Sequence, residues 1–181
     1  MDGVWRTRVG YAGGTLRQPT YHALGDHTEC FEVDFDPQVV SYQDLLDRVW
    51  ASHDPTRAAF KTQYASVILA RDDEQLELAQ RSAEETARLL GRPLATRIER
   101  LTTFWIAEDY HQKYYLRGHR ELAAEMHAIY PDQHDFVDST AAARLNGYLY
   151  GAGTCARLER DLPLLGVSDD GAVHLQAHCR H

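Results

Sequence analysis

Cysteine is scarce in this chain, and basic residues are outnumbered. Its 181 residues hold three cysteines, Cys30, Cys155 and Cys179. None is spaced as Cys-x-x-Cys or Cys-x-His, so neither a disulfide framework nor a zinc motif is spelled out. What remains is free thiols, buried or reactive, and Cys30 reads best as a small core residue. The 19 Lys and Arg face 27 Asp and Glu, a formal net charge of −8. With no basic stripe to neutralise phosphates, general nucleic-acid binding is not expected. No apolar run approaches the roughly 20 residues needed to span a bilayer, and residues 1–6 hold no signal-peptide core. A cytoplasmic location is the expectation. The length suits one domain, or one domain with an extension, and is enough to bury a core.

The hydrophobic pattern predicts strands and helices in alternation. Residues 7–11 read as a short strand ending in the turn Ala12-Gly13-Gly14. Residues 27–35 read as a strand in which Phe31, Val33 and Phe35 alternate with Glu32 and Asp34. Ser41 followed by Asp44 is a capping-box variant, and Leu45, Leu46, Val49 and Trp50 give a helical stripe. That helix stops near His53-Asp54-Pro55. Residues 64–70 read as a buried strand and 72–90 as a long amphipathic helix closed by Gly91. Residues 94–101 read as a further strand. Helices are expected over 107–116, 119–130, from 138 onward and over 157–165, with 168–181 mostly irregular. The order implies an α/β (α+β) two-layer sandwich with a small mixed sheet, residues 1–116, carrying a helical C-terminal extension, residues 117–181.

Four places hold residues suited to chemistry. Gly10-Tyr11-Ala12-Gly13-Gly14 can set a phenol at a strand end where backbone approaches a ligand; it also reads as a tight turn with a packing tyrosine. In Gly25-Asp26-His27-Thr28-Glu29, strand alternation puts His27 and Glu29 on one face and Cys30 on the other. Such a pair serves as acid and base or as metal ligands; the plainer reading is a solvated edge. Ser52-His53-Asp54-Pro55-Thr56 is a helix stop followed by Gln63-Tyr64. In Glu108-Asp109-Tyr110-His111-Gln112, helical spacing sets His111 one turn from Glu108 and Tyr115.

Taken in order, these motifs resemble the A-class methionine sulfoxide reductases. The match runs through Arg8-Val9-Gly10-Tyr11-Ala12-Gly13-Gly14, Pro19-Thr20-Tyr21, His27-Thr28-Glu29, Asp36-Pro37, Ser41-Tyr42, His53-Asp54-Pro55-Thr56, Gln63-Tyr64 and Ala107-Glu108-Asp109-Tyr110-His111-Gln112. It covers residues 3–115. Phe136-Val137-Asp138-Ser139-Thr140 and Arg144-Leu145-Asn146-Gly147-Tyr148 resemble a branch with a helical tail. The resemblance implies a ferredoxin-like sandwich and reduction of methionine S-sulfoxide, free or in proteins, by a cysteine thiolate. It implies Glu29 as the acid, Tyr11 and Tyr64 as hydroxyls at the sulfoxide oxygen, and Asp54 as a second carboxylate. Substrate binding would involve Gly13, Gly14 and His111. It implies no cofactor, a thiol such as thioredoxin as reductant, and a resolving cysteine, for which Cys155 and Cys179 are the candidates. An acid of this kind needs a raised pKa, which burial of Glu29 beside apolar groups would give.

The family's nucleophile lies in a Gly-Cys-Phe-Trp segment upstream of the Gly10-Tyr11 motif, and no cysteine precedes Cys30 here. The chain therefore reads as a shortened form of a longer protein, or else as a divergent member without the thiol chemistry; persistence of the acid, tyrosines and carboxylate favours the first. Two other readings stay open. His27, His53 and His111 with carboxylates suit a zinc or iron enzyme. A non-catalytic module that binds methionine sulfoxide needs no nucleophile at all.

Overall fold

A computed structural model describes residues 1–179. Two compact units make up the chain. The first gathers residues 1–3, 9–31 and 35–107; the second gathers residues 4–8, 32–34 and those from 108 onward.

The first unit holds most of the strand structure. Strand β1 (Val4–Ala12) lies between β2 (Thr28–Phe35) and β5 (Trp105–Ile106). β1 and β5 are antiparallel, with Gly10 opposite Ile106 and Tyr11 opposite Trp105. β3 (Val67–Ala70) and β4 (Arg97–Arg100) pair in parallel from Val67–Arg97 to Ala70–Arg100 as a separate two-stranded sheet. The α/β class holds, with the strands in two small sheets. Helices α1 (Tyr42–Ser52) and α2 (Asp73–Leu90) bury Leu46 and Ala79 with Ile68 of β3. α1 starts at the expected capping box: Asp44 N donates to Ser41 Oγ, and Ser41 N donates back to Asp44 Oδ2. α2 closes at Gly91, whose φ of 63° is the left-handed conformation that glycine takes without steric cost. Among these elements, β5 was not anticipated; two residues are too few to show a period.

The second unit is helical: α3 (Tyr114–Gly118), α4 (Arg120–Ile129), α5 (Gln133–Asp138), α6 (Thr140–Leu149), α7 (Cys155–Leu165) and α8 (Asp169–Gln176). Side chains of Asp132, Ser139, Thr154 and Ser168 cap α5 to α8 in turn. Leu116, Leu122, Met126, Phe136, Leu145, Leu158, Leu165 and Leu175 are sealed in one core. Each such side chain contributes about 2 kcal/mol of burial.

Three expectations fail here. Residues 107–116 do not form one helix: a 3-10 turn spans Asp109–His111, Gln112 is extended and Lys113 is left-handed at φ 52°. The buried Lys113 ammonium donates to the carbonyl of Thr7, which fixes the break. His111 is therefore not one helical turn from Tyr115, although it does sit one 3-10 turn from Glu108, whose carbonyl accepts from His111 N at 3.0 Å. The stretch 168–181 is not irregular, since α8 forms within it behind the Ser168 cap; Arg180 and His181 lie outside the described residues. The alternation in β2 does not sort apolar side chains inward: Val33 and Phe35 are half-buried, as are Glu32 and Asp34. Phe31 is 64% exposed, whereas Glu32 and Asp34 turn inward to Arg8, at 2.8 Å each.

Candidate active site

The Gly10–Gly14 motif is built by close approach. A Cβ on Gly10 would stand 2.3 Å from the carbonyl oxygen of Trp105, and one on Gly14 would stand 2.7 Å from the backbone nitrogen of His27. Gly13 needs its φ of 79°. Between them Tyr11 is 2% exposed and packs with Leu24, Ala107, Val9 and Trp105. The loop after Gly14 wraps Asp26, which accepts from Thr15 N, Thr15 Oγ1 and Leu16 N. The Thr15 backbone bond, then its hydroxyl, holds the Asp26 carboxyl down to about 2.

His27 belongs to this loop. β2 begins at Thr28, so strand alternation does not reach it, and it is buried while Glu29 is exposed. The expected shared face of His27 and Glu29 is thus corrected. Gly14 N donates to His27 Nδ1 at 3.2 Å, which leaves Nε2 to donate to Leu16 O at 2.8 Å. His53 is engaged in the same way, with Nδ1 on Val49 O and Nε2 on Thr96 Oγ1, both at 2.8 Å. Neither ring has a nitrogen left for a metal. His111 lies in the other unit. Among the described residues no three His, Cys, Asp or Glu side chains group closely enough to hold an ion.

Glu29 is brought to the 3-10 turn Thr62–Tyr64. Gln63 Nε2 donates to Glu29 Oε1 at 2.6 Å, and Thr28 Oγ1 donates to Thr62 O at 2.9 Å. Tyr64 is 49% exposed on that turn. Glu29 stands in solvent, not among apolar groups as expected. Gln63 was read only as part of a motif; its bond to Glu29 needs the fold to bring residues 34 apart in sequence together. Asp54 is also exposed and spends its carboxylate on Thr56, accepting from Oγ1 at 2.7 Å and from N at 3.0 Å. The hydroxyl bond first, then the amide, lowers its pKa.

The cysteines divide by unit. Cys30 lies on the inner side of β2, opposite the exposed Glu29, as alternation predicts. Burial pushes its thiol up to about 11, against the Ala12 backbone bond and Arg97. Cys155 and Cys179 are bonded to each other, with Cα atoms 4.9 Å apart and a sequence separation of 24.

These features define an α/β protein with an exposed carboxylate held by an amide, a buried tyrosine on a glycine-rich turn, and a disulfide-bonded pair of cysteines in the helical unit. The family described as peptide methionine sulfoxide reductase matches residues 1–144. A Drosophila melanogaster peptide methionine sulfoxide reductase is 42% identical over 92% of this chain and 67% of its own length. An Arabidopsis thaliana peptide methionine sulfoxide reductase A5 is 39% identical over 82% of this chain, which spans 60% of that relative. The crystal structure of Mxr1 from Saccharomyces cerevisiae in reduced form superposes with a TM-score of 0.61 at 29% identity, covering 66% of this chain and 74% of that one. The chain belongs to the peptide methionine sulfoxide reductase family.

Proposed function

We propose that this chain carries the sulfoxide-polarising part of a peptide-methionine (S)-S-oxide reductase. Glu29 is the proton donor to the sulfoxide oxygen, Tyr11 and Tyr64 are hydroxyl donors, and Asp54 is the second carboxylate. Gly13, Gly14 and His111 contribute to substrate binding. The observation that carries this reading is the Gln63–Glu29 bond, which fixes a solvent-facing carboxyl beside the turn bearing Tyr64. As the S–O bond breaks, its oxygen gains charge. A positioned acid and hydroxyls stabilise that charge and deliver the proton.

None of the three cysteines suits the attacking thiolate. Cys30 is on the wrong face of β2 with its thiol pushed up to about 11, and Cys155 and Cys179 are paired. The nucleophile in this reading is the family's Gly-Cys-Phe-Trp cysteine. Cys155 and Cys179 serve as the recycling pair, and a dithiol reductant such as thioredoxin reduces them. Domain limits of 1–116 and 117–181 accompany the proposal. So does a cytoplasmic location; no described helix is long and apolar enough to cross a membrane.

The test is an assay of methionine S-sulfoxide reduction with dithiothreitol, using the chain alone and the chain preceded by the Gly-Cys-Phe-Trp strand-and-helix segment. The extended chain should turn over the S epimer, and the 181 residues alone should not. Glu29→Gln should cost about 10²–10⁴-fold. An extended chain without turnover, or one indifferent to Glu29→Gln, sinks the reading.

A further inference from the structure

Phe60 is the most exposed large apolar side chain among the described residues, at 83%. It lies in an open run, Arg57-Ala58-Ala59-Phe60-Lys61-Thr62, in which every residue is exposed. A single apolar side chain in solvent is ordinary. This one is not single. Its ring stands 5.7 Å from that of Tyr64, and the Lys61 ammonium lies 5.9 Å from the centre of its ring. Among the described residues that ammonium has no ion pair. From Pro55 to Tyr64 the chain carries Arg57 and Lys61 and no carboxylate, in a protein whose net charge is −8.

The patch is anchored. Tyr64 N donates to Lys61 O at 3.1 Å, Ala65 N donates to Thr62 O at 3.0 Å, and Thr28 Oγ1 ties Thr62 O to the start of β2. The same turn supplies the Gln63 amide that holds Glu29. Two aromatic rings and a cation thus stand beside the proposed acid, on a turn fixed by bonds within the protein. Rigid exposed aromatics with a cation beside them bind another polypeptide at low entropic cost. We propose that Phe60, with Tyr64 and Lys61, is the subsite that grips the polypeptide flanking a methionine sulfoxide. The two rings take an aromatic or large apolar side chain one or two positions from the sulfoxide, and Lys61 takes a carboxylate beside it.

This inference rests on the reading of Glu29 and Tyr64 above and names the substrate class of that site: oxidised methionine within an apolar and acidic stretch of polypeptide. The occupant follows from reach and charge. An extended chain advances roughly 3.3–3.6 Å per residue, so the neighbours of a sulfoxide held at Tyr64 fall within the span of the Phe60 ring. Free methionine sulfoxide has no flanking side chain to place there. An acidic flank meets Lys61 and Arg57 as opposite charges, and a basic flank meets them as like ones. Both cations are exposed, so their contribution is small and screened by salt.

The test is binding to the 181-residue chain, which needs no turnover, read by fluorescence anisotropy of labelled peptides of equal length. One peptide carries methionine sulfoxide between Phe and Glu, and another carries it between Gly and Ser; each is also made with unoxidised methionine. The Phe/Glu peptide should bind about tenfold more tightly than the Gly/Ser peptide, the size of roughly one hot-spot contact. Phe60→Ser should remove that preference and leave the Gly/Ser peptide unchanged; so exposed a side chain is not needed for folding, and thermal unfolding of the variant checks this. Lys61→Glu should weaken the Phe/Glu peptide about two- to fivefold at low salt and leave it unchanged at high salt. No measurable binding of the Phe/Glu peptide, equal affinity for the two flanks, or a preference that survives Phe60→Ser would each overturn the proposal. So would loss of the preference in the chain extended by the Gly-Cys-Phe-Trp segment, which would show that segment covering Phe60. A dimer that Phe60→Ser dissolves would give the ring to a second copy and overturn it too. The unoxidised peptides separate this inference from the reading beneath it. A flank preference of equal size with methionine and with its sulfoxide, and no gain from the sulfoxide itself, keeps Phe60 as a polypeptide subsite and removes the sulfoxide recognition assigned to Glu29 and Tyr64.

Discussion

Tyr148 donates its hydroxyl to Asp161 Oδ2 at 2.8 Å inside the helical unit. Both residues are buried, and Arg144 and Arg157 reach the same carboxylate at 3.4 and 3.3 Å. Burial alone would raise the Asp161 pKa; the Tyr148 bond and then the two guanidiniums outweigh it and lower it. The phenol is pushed up to about 12, first by burial and then by this bond.

Tyr148→Phe should therefore cost about 1–3 kcal/mol, because the acceptor stays buried with one donor fewer. Urea unfolding at pH 7 measures it. A carboxyl with a lowered folded pKa stabilises above its unfolded pKa and loses that contribution as pH falls through the folded one. The gap between Tyr148→Phe and the parent should thus be full at pH 7 and shrink below about pH 4. A gap that stays constant to pH 2 would mean that the tyrosine acts through packing alone.

Lys113 supplies the opposite sign. It is 5% exposed, and burial lowers its pKa to about 8 despite the attraction of Asp138. A lysine whose folded pKa is depressed costs stability wherever it is charged, fully below about pH 8. The cost disappears as pH rises toward its unfolded value near 10.4. Relative to Lys113→Met, the parent should gain on the order of 2–3 kcal/mol between pH 7.5 and 10. Parallel denaturation curves at the two pH values check it; a difference independent of pH removes Lys113 as the titrating group.

Lys113 also shows where the sequence stops being readable. Apolar period and polar caps marked α1 and α2 because those signals are local: Ser41 with Asp44, and Gly91 after Leu90. Residues 107–116 carry helical spacing too. Yet the helix is interrupted by a bond from Lys113 to Thr7, 106 residues away, which no local window contains. Glu32 and Asp34 face inward for the same kind of reason, since Arg8 meets them only once β1 and β2 pair. In the site, the glycine turn and the exposed Glu29 could be named from motif order. The Gln63 bond, the structural work of His27 and His53, and the Cys155–Cys179 pairing required the fold.

Gly10 tests the packing behind Tyr11. Its φ is unexceptional, so the argument is space alone: the nearest neighbour to an added Cβ is backbone, Trp105 O at 2.3 Å, and backbone cannot swing aside. Gly10→Ala should cost about 1–3 kcal/mol or more by pushing β5 off β1. Thermal unfolding reads the loss, and hydrogen exchange should report the amide of Ala107, bonded to Val9 O at 3.0 Å, as faster exchanging. Unchanged exchange there would mean that the sheet absorbs the methyl elsewhere.

Cys30 decides whether any thiol in these residues competes for the role of nucleophile. With its thiol pushed up to about 11, roughly one molecule in a thousand carries the thiolate at pH 8, and the thiolate is the reacting form. Iodoacetamide at pH 8 should leave Cys30 unlabelled in the folded protein on a timescale that fully labels free glutathione, and should label it at once in urea. Cys155 and Cys179 should stay unlabelled in both until reductant is added. Opening that bond frees a 24-residue span and should lower stability by about 3 kcal/mol on chain-entropy grounds. Unfolding with and without dithiothreitol measures this on the same sample. Rapid labelling of folded Cys30 would instead restore it as a reactive thiol and remove the physical ground for assigning the nucleophile to the Gly-Cys-Phe-Trp segment.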